Sequence, residues 1–342
     1  MSAAKLPTRR LGRTGLEVTV LGFGSAPLGD IYEVLDDATA IATVEAAAAQ
    51  GISLFDTAPL YGQGSAEHRV GTALRRRPPG SFVVSTKVGR LMKPAPQGRT
   101  RTTKYVGGLS FDVVNDYSFE GAIRSHQDSL NRLGLPAVDV LLIHDADVWG
   151  HGPKEGPKRY REAIEGAYPA LARLKADGVI KGVGIGLNDP AYAAQFLRDG
   201  EFDCMLLAGR YSLLEQPALA EVLPLAQRKD VGVMLGGVFN SGILATGPVA
   251  GARYNYQEAP PEILDKVGRI EAVCRSHGVP LATAAVRFCL GHPAVSSLVL
   301  GAVRPEEVAT NVAAMTATVP ASLWSDLKTE GLLATDAPVP RS

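Results

Sequence analysis

The chain has 342 residues, enough for one large domain or two small ones. Its 35 Lys and Arg balance 35 Asp and Glu, which argues against a nucleic-acid binder and leaves no polybasic region for an anionic membrane. No apolar run reaches the ~18 residues of a membrane span, and residues 1–10 lack the apolar core of a signal peptide.

Residues 8–11 and 16–18 flank the turn-rich Gly12-Arg13-Thr14-Gly15 and read as a small hairpin. A strand at 20–24 follows, then a loop at 25–31. Asp36 or Asp37 caps a helix that runs through alanines to Gln50 and stops at Gly51. A second strand begins at Ile52 and ends at Asp56, with a helix at 65–76. The third strand, 82–87, ends on Lys87. A long polar loop, 88–117, precedes a helix at 118–133. The fourth strand, 138–144, ends on His144. A second long loop, rich in Gly, Pro and charge, precedes a helix at about 163–176.

The alternation continues with strand 179–185 and helix 190–198, then strand 202–207 and helix 217–228. Strand 231–235 leads through a Gly-rich loop to helical stretches at 261–277 and 281–290. Strand 297–300 leads to helix 305–315 and a C-terminal tail. That makes eight strand-helix units with no linker cutting the run, so residues 1–342 read as one domain. Short strands that are apolar on both faces predict parallel pairing with helices outside. A closed (β/α)8 barrel, an α/β fold of roughly 250 residues before insertions, fits best. The hairpin, the two long loops and the tail take up the surplus. An open doubly wound sheet is the alternative, but Gly22-Phe23-Gly24-Ser25-Ala26-Pro27 puts Pro27 where its glycine fingerprint needs a third glycine.

Cys204, Cys274 and Cys289 are far apart and lack metal-ligand spacing. They read as reduced core thiols of a cytoplasmic protein, with no metal site.

Strand C-terminal ends converge on one face of such a barrel. Asp56, Lys87 and His144 end neighbouring strands two, three and four, and Tyr61 sits in the loop above strand two. Each has a plain structural reading: Asp56 as a turn cap, Lys87 as a solvated strand end, His144 as a core histidine held by backbone or Asp145, Tyr61 as a packed aromatic. Together those readings need four coincidences at adjacent strand ends. A lysine beside a tyrosine favours the phenolate, an aspartate holds that ammonium, and a neutral imidazole orients an oxygen. This set handles a proton on a carbonyl or hydroxyl oxygen while a cofactor carries the hydride.

The run Asp56-Thr57-Ala58, Tyr61-Gly62, Ser65-Ala66-Glu67 and Gly71, with Lys87 and Leu142-Ile143-His144, resembles the aldo-keto reductase superfamily. The resemblance covers nearly the whole chain, from Leu11-Gly12-Arg13-Thr14-Gly15 to Leu300-Gly301 and on to Asn311. It implies an eight-stranded barrel, NAD(P)-dependent carbonyl-alcohol chemistry, and a catalytic tetrad of Asp56, Tyr61, Lys87 and His144, with Tyr61 exchanging the proton. Where most such reductases carry Gly-Val-Ser-Asn after strand five, this chain has Gly184-Ile185-Gly186-Leu187-Asn188, which moves the nicotinamide-holding Asn to Asn188. The stacking tyrosine expected after strand seven is absent from Gly236-Gly237-Val238-Phe239-Asn240-Ser241-Gly242.

With His144-Asp145, that phrasing resembles the aldose 1-dehydrogenase branch, which includes L-fucose and D-threo-aldose dehydrogenases and pyridoxal 4-dehydrogenase. The implied reaction oxidises the C1 hydroxyl of a cyclic sugar to a lactone. The alternatives are pyridoxal oxidation, general aldehyde or ketone reduction, or a non-catalytic cofactor-sensing subunit. The expected cofactor contacts are Ser25, Ala26, Asn188, Gly237, Phe239, Ser241, Gly301, Arg304 and Asn311. Gly301 and Glu307 stand where NADP-dependent relatives place Lys and Arg, so NAD is expected over NADP, with Arg304 able to compensate partly. Loops 90–117 and 145–168 are expected to rim the substrate pocket, with Tyr117, Trp149 and His151 touching a sugar or aldehyde. A monomer or small homo-oligomer is expected.

Overall fold

In the computed structural model, residues 6–96 and 104–340 are described. Residues 1–5 of the N-terminal stretch and 97–103 of the expected rim loop lie outside them. Eight parallel strands close into a barrel in chain order: Leu21–Gly24, Leu54–Asp56, Val83–Val88, Val140–His144, Gly182–Leu187, Cys204–Ala208, Gly232–Gly236 and Val295–Gly301, the last pairing back with the first. The expected α/β barrel is therefore the observed fold. Its core has two layers. Inside the strands pack Leu54, Val83, Val140, Leu142, Cys204, Leu206, Met234 and Val299. Outside, alternate strand residues such as Phe55, Val84, Leu141, Ile143, Val183 and Ile185 pack with the helices. This is the period-2 alternation of strands buried on both faces.

The expected N-terminal hairpin forms between Thr8–Arg10 and Glu17–Thr19. Leu11, Leu16 and Val18 join the inner layer and close the barrel's N-terminal mouth. Gly12 has φ +51, and a Cβ there would fall 2.0 Å from the Asp203 carbonyl oxygen, so only glycine admits the close approach.

Four segments differ from the expectation. The loop at 88–117 carries an antiparallel hairpin, Arg90–Pro94 with Phe111–Asn115. The loop at 145–168 is helical over Val148–Glu162 and continues through a π-turn into Tyr168–Ala176. Asp147 caps that helix by accepting the Gly150 N–H, and the chain breaks helical geometry at Gly152 before Pro153. Those residues read as a loop because the Gly and Pro interrupt any apolar period. The tail holds a further helix, Ala321–Thr329, which buries Trp324. The helix expected at 217–228 is a 3-10 turn, Pro217–Leu219, followed by Val222–Arg228. No helix of the described residues is long and apolar enough to cross a membrane, and none of them form a metal-binding cluster.

Candidate active site

Strand register sets the first contacts. Asp56, the last residue of the second strand, lies opposite Ser85 on the third. Ser85 and Lys87 are two residues apart and share the inward face. Ser85 Oγ donates to Asp56 Oδ1 at 2.7 Å, and Lys87 Nζ donates to Asp56 Oδ2 at 2.7 Å and to the Thr57 carbonyl at 2.8 Å. The lysine stem runs across the barrel interior because strand five presents Gly182, Gly184 and Gly186 there. A Cβ on Gly186 would sit 3.3 Å from Lys87 Cε.

Tyr61 and His144 complete the group. Tyr61 begins a 3-10 turn in which Gly62 and Gln63 take left-handed backbone angles. Its ring lies with the Lys87 ammonium 4.7 Å from the centroid and packs edge-on to the His144 imidazole at 5.8 Å. His144 ends the fourth strand opposite Gly186 and is buried. The four residues singled out from the sequence are thus brought together.

Burial dominates the electrostatics. It raises the Asp56 carboxyl above its usual value, opposed by the Lys87 ammonium and the Lys87 and Ser85 hydrogen bonds. It holds His144 well below the ordinary imidazole value, helped by the positive charges of Arg90, Lys87 and Lys104, so the imidazole is neutral near pH 7. Tyr61 is pushed well above the usual phenol value by burial first, then by Asp56, Tyr105, Asp145 and Tyr256. The expected lowering by Lys87 is therefore reversed in the chain itself: Asp56, at 2.7 Å from Nζ, neutralises the ammonium. Such a tyrosine is a proton donor at neutral pH and becomes an acceptor only as the surroundings turn more positive or the solution more alkaline.

Two cavities meet at Tyr61. The larger, about 370 Å³, runs past Gly24, Ala26, Asn188, the Gly236–Gly242 loop, Gly301 and Glu307. The smaller, about 60 Å³, is lined by Tyr61, Lys87, Lys104, Tyr105, His144, Asp145, Asn188 and Tyr256. Ala26, Asn188, Gly237, Phe239, Ser241 and Gly301 line the larger cavity as expected of cofactor contacts. Ser25 is buried behind it, its Oγ without a hydrogen-bond partner. Arg304 turns away to Glu33 at 3.3 Å, and Asn311 Nδ2 donates to the Gly301 carbonyl at 3.4 Å. Glu307 lines the cavity and accepts the Val303 N–H at 2.9 Å.

The groove suits a dinucleotide. It is long and backbone-rich, and the N-terminus of helix Pro305–Thr316, where N–H groups favour an anion, follows the lining residues Gly301–Val303. Asn188 lines both cavities and so stands at their junction.

The three expected substrate contacts are not brought to either cavity. Tyr117 is fully buried and donates to the His144 carbonyl at 2.6 Å, with His151 Nε2 2.9 Å from its hydroxyl. Both residues support His144 from behind. Trp149 is exposed, with the Arg210 guanidinium 4.7 Å over its ring. The pocket walls instead come from Asp145, which the sequence suggested only as a partner of His144, and from residues it did not single out: Lys104 and Tyr105 after the first rim hairpin strand, and Asn255 and Tyr256 in a hairpin between Arg253–Tyr254 and Gln257–Glu258. Asn255 was findable. It favours the left-handed geometry of a two-residue turn, and Asn255 and Tyr256 have φ of 49° and 66°.

Comparison with known proteins gives concordant matches. A family profile described as the aldo/keto reductase family matches residues 20–329. The chain is 42% identical over 334 residues to the pyridoxal 4-dehydrogenase of Microbacterium luteolum, covering 95% of this chain and 97% of the relative. It is 38% identical to a D-threo-aldose 1-dehydrogenase from Pseudomonas sp, covering 94% and 96%. Among solved structures, an aldo-keto reductase of Bacillus halodurans in its holo form superposes with a TM-score of 0.73 at 27% identity, covering 98% of this chain and 99% of that one.

Proposed function

The chain belongs to the aldo/keto reductase family, and from that premise we propose that it is a nicotinamide-dependent dehydrogenase that oxidises a cyclic hemiacetal to a lactone. The observation that carries this reading is the junction of the two cavities, where Tyr61, neutral His144 and the buried Lys87–Asp56 pair surround one point. His144 holds the substrate oxygen in place. Tyr61, ionised to the phenolate that the Lys87 ammonium steadies, takes the proton of the hemiacetal hydroxyl and becomes the neutral phenol. A bound nicotinamide would supply the hydride acceptor, and its positive charge would favour the phenolate further. Run backwards, the same groups reduce an aldehyde or ketone, with Tyr61 as donor. The complete proton-handling set argues against a purely cofactor-sensing role.

NAD is the preferred cofactor on this reading. The Glu307 carboxylate lines the groove, Arg304 is engaged by Glu33 and Arg210 by Glu215, so among the described residues the groove offers a 2′-phosphate an anion and no unpaired cation.

Sugars of the L-fucose and D-threo-aldose type and pyridoxal all exist in water as cyclic hemiacetals, so one mechanism serves them. The aromatic walls of the small cavity, Tyr61, Tyr105 and Tyr256, favour the flat pyridoxal ring. A panel of L-fucose, D-arabinose, L-galactose and pyridoxal, read by NADH absorbance, tests both levels. Turnover of at least one hemiacetal is expected, and silence across the panel refutes the reading. Tyr61→Phe is expected to lower kcat by about 10² to 10⁴ while nucleotide binding persists, and retained activity refutes its role.

A further inference from the structure

The small cavity carries a positive charge that the proton chemistry does not use. Lys87, Lys104 and Asp145 line it together with Tyr61 and His144. Asp56 neutralises Lys87. Asp145 turns to the buried Arg90, its Oδ2 3.4 Å from Nη1. Among the described residues Lys104 makes no ion pair; its ammonium lies 4.5 Å over the Tyr256 ring and 5.5 Å from the centre of Tyr105. Three cations therefore meet two carboxylates beside a neutral imidazole. The surplus charge sits on an exposed side chain at the mouth, against the rings of Tyr105 and Tyr256. Lys104 lines only the small cavity and not the long groove, so its charge acts on the substrate side of Tyr61.

We propose that Lys104 is a specificity-determining residue that selects substrates bearing an anionic oxygen beside the reacting carbon, such as an ionised ring hydroxyl ortho to an aldehyde or hemiacetal. The proposal rests on the carbonyl-hemiacetal reading of the site. Asp145 acts on Lys104 only through space, its carboxylate turned to Arg90 and His144. An incoming oxyanion finds one ammonium presented over two ring faces, with tyrosine hydroxyls close by to orient it.

The test uses two aldehydes that differ by one hydroxyl, 3-hydroxypyridine-4-carbaldehyde and pyridine-4-carbaldehyde, reduced with NADH. Comparing the ratio of their kcat/KM values between variants cancels their different intrinsic reactivities. In Lys104→Met the preference for the hydroxylated aldehyde should fall about fivefold or more, the discount on a charged hydrogen bond reflecting exposure. Lys104→Arg should keep it, and Lys104→Glu should push it below Lys104→Met. A ratio unchanged in both Lys104→Met and Lys104→Glu overturns the proposal. If neither aldehyde is turned over, the carbonyl-hemiacetal reading fails separately. Calorimetric affinities of the two aldehydes for wild type and Lys104→Met then decide the role of Lys104. Loss of the hydroxyl's advantage supports it, and equal losses overturn it.

Discussion

Asp56→Asn separates charge from shape at the buried pair. The amide keeps an oxygen for Lys87 Nζ, which also retains the Thr57 carbonyl at 2.8 Å, so the ammonium keeps two acceptors and stays protonated. What changes is the field at Tyr61. The negative charge that raises the phenol is gone, and the ammonium 4.7 Å from the ring centroid is no longer neutralised. At that distance and an effective dielectric near 20, a unit charge acts with about 3 kcal/mol, so a phenol shift of one to two units downward is a conservative figure. In wild type the raised Tyr61 accepts a proton only in its ionised form, so oxidation should climb with pH and go on climbing through the ordinary phenol range. The Asn variant should climb earlier, its midpoint displaced about one to two units toward acid, with a lower plateau because the weaker base accepts less readily. Reduction should lose its alkaline range over the same interval, since the donor form disappears sooner. Removing one partner of a buried pair costs about 3 kcal/mol after the retained contacts are allowed for. For 342 residues, an unfolding entropy of about 0.7 kcal/mol/K makes that a drop of about 4 °C in Tm. The assay is initial-rate oxidation across pH beside a thermal melt. A midpoint that stays put or moves alkaline, in a variant that melts as expected, would show that Asp56 does not tune Tyr61 through Lys87.

Two further expectations address the groove and its first loop. Glu307→Arg should raise the NADP-to-NAD ratio of kcat/KM by tenfold or more, measured at equal cofactor concentrations; a wild type that already favours NADP sinks the argument. Arg69 reaches Asp30, Asp37 and the carbonyls of Leu28 and Leu35, and Asp30 is buried. Arg69→Met should cost about 3 to 5 kcal/mol, read as a Tm lowered by roughly 4 to 7 °C, and should raise the cofactor KM because Ala26 and Pro27 lie on the same loop; an unchanged melt contradicts this.

The tetrad was legible because its signal is local. Asp56, Lys87 and His144 each end an apolar run, and parallel pairing of consecutive strands does the rest. Glu67 shows the limit of such reading. It stands in the same stretch of sequence, yet it is buried, accepts from Thr86 Oγ1 at 2.7 Å and pairs with Arg132, so it ties a helix to the barrel. Tyr117 was misread for a related reason: a tyrosine at the end of a polar loop looks like a rim residue, but the Gly89 backbone, at φ +101, leaves room for its ring beneath His144. The rim loops were legible, but which of their residues form the pocket walls was not, because long-range contacts place them. The segment bearing Lys104 and Tyr105 is held where the Val106 N–H meets the Asp30 carbonyl at 2.8 Å, and Tyr256 where its N–H meets Ser241 Oγ at 3.0 Å. No periodicity announces either bond.

Asp145 lies at the seam between these two kinds of residue. Its N–H extends the barrel ladder one step beyond His144, donating to the Gly186 carbonyl at 2.9 Å. Its backbone then turns to φ 46°, a geometry that costs a non-glycine residue about 1 to 3 kcal/mol. The turn swings its carboxylate back to 3.4 Å from Arg90 and 3.5 Å from His144 Nε2. Arg90 opens the rim hairpin whose connection carries Lys104, so one strained residue joins the rigid strand end to the loop that forms the pocket wall. Glycine would relieve the backbone but lose the carboxylate. The strain is what lets a single carboxylate serve the imidazole and the hairpin together.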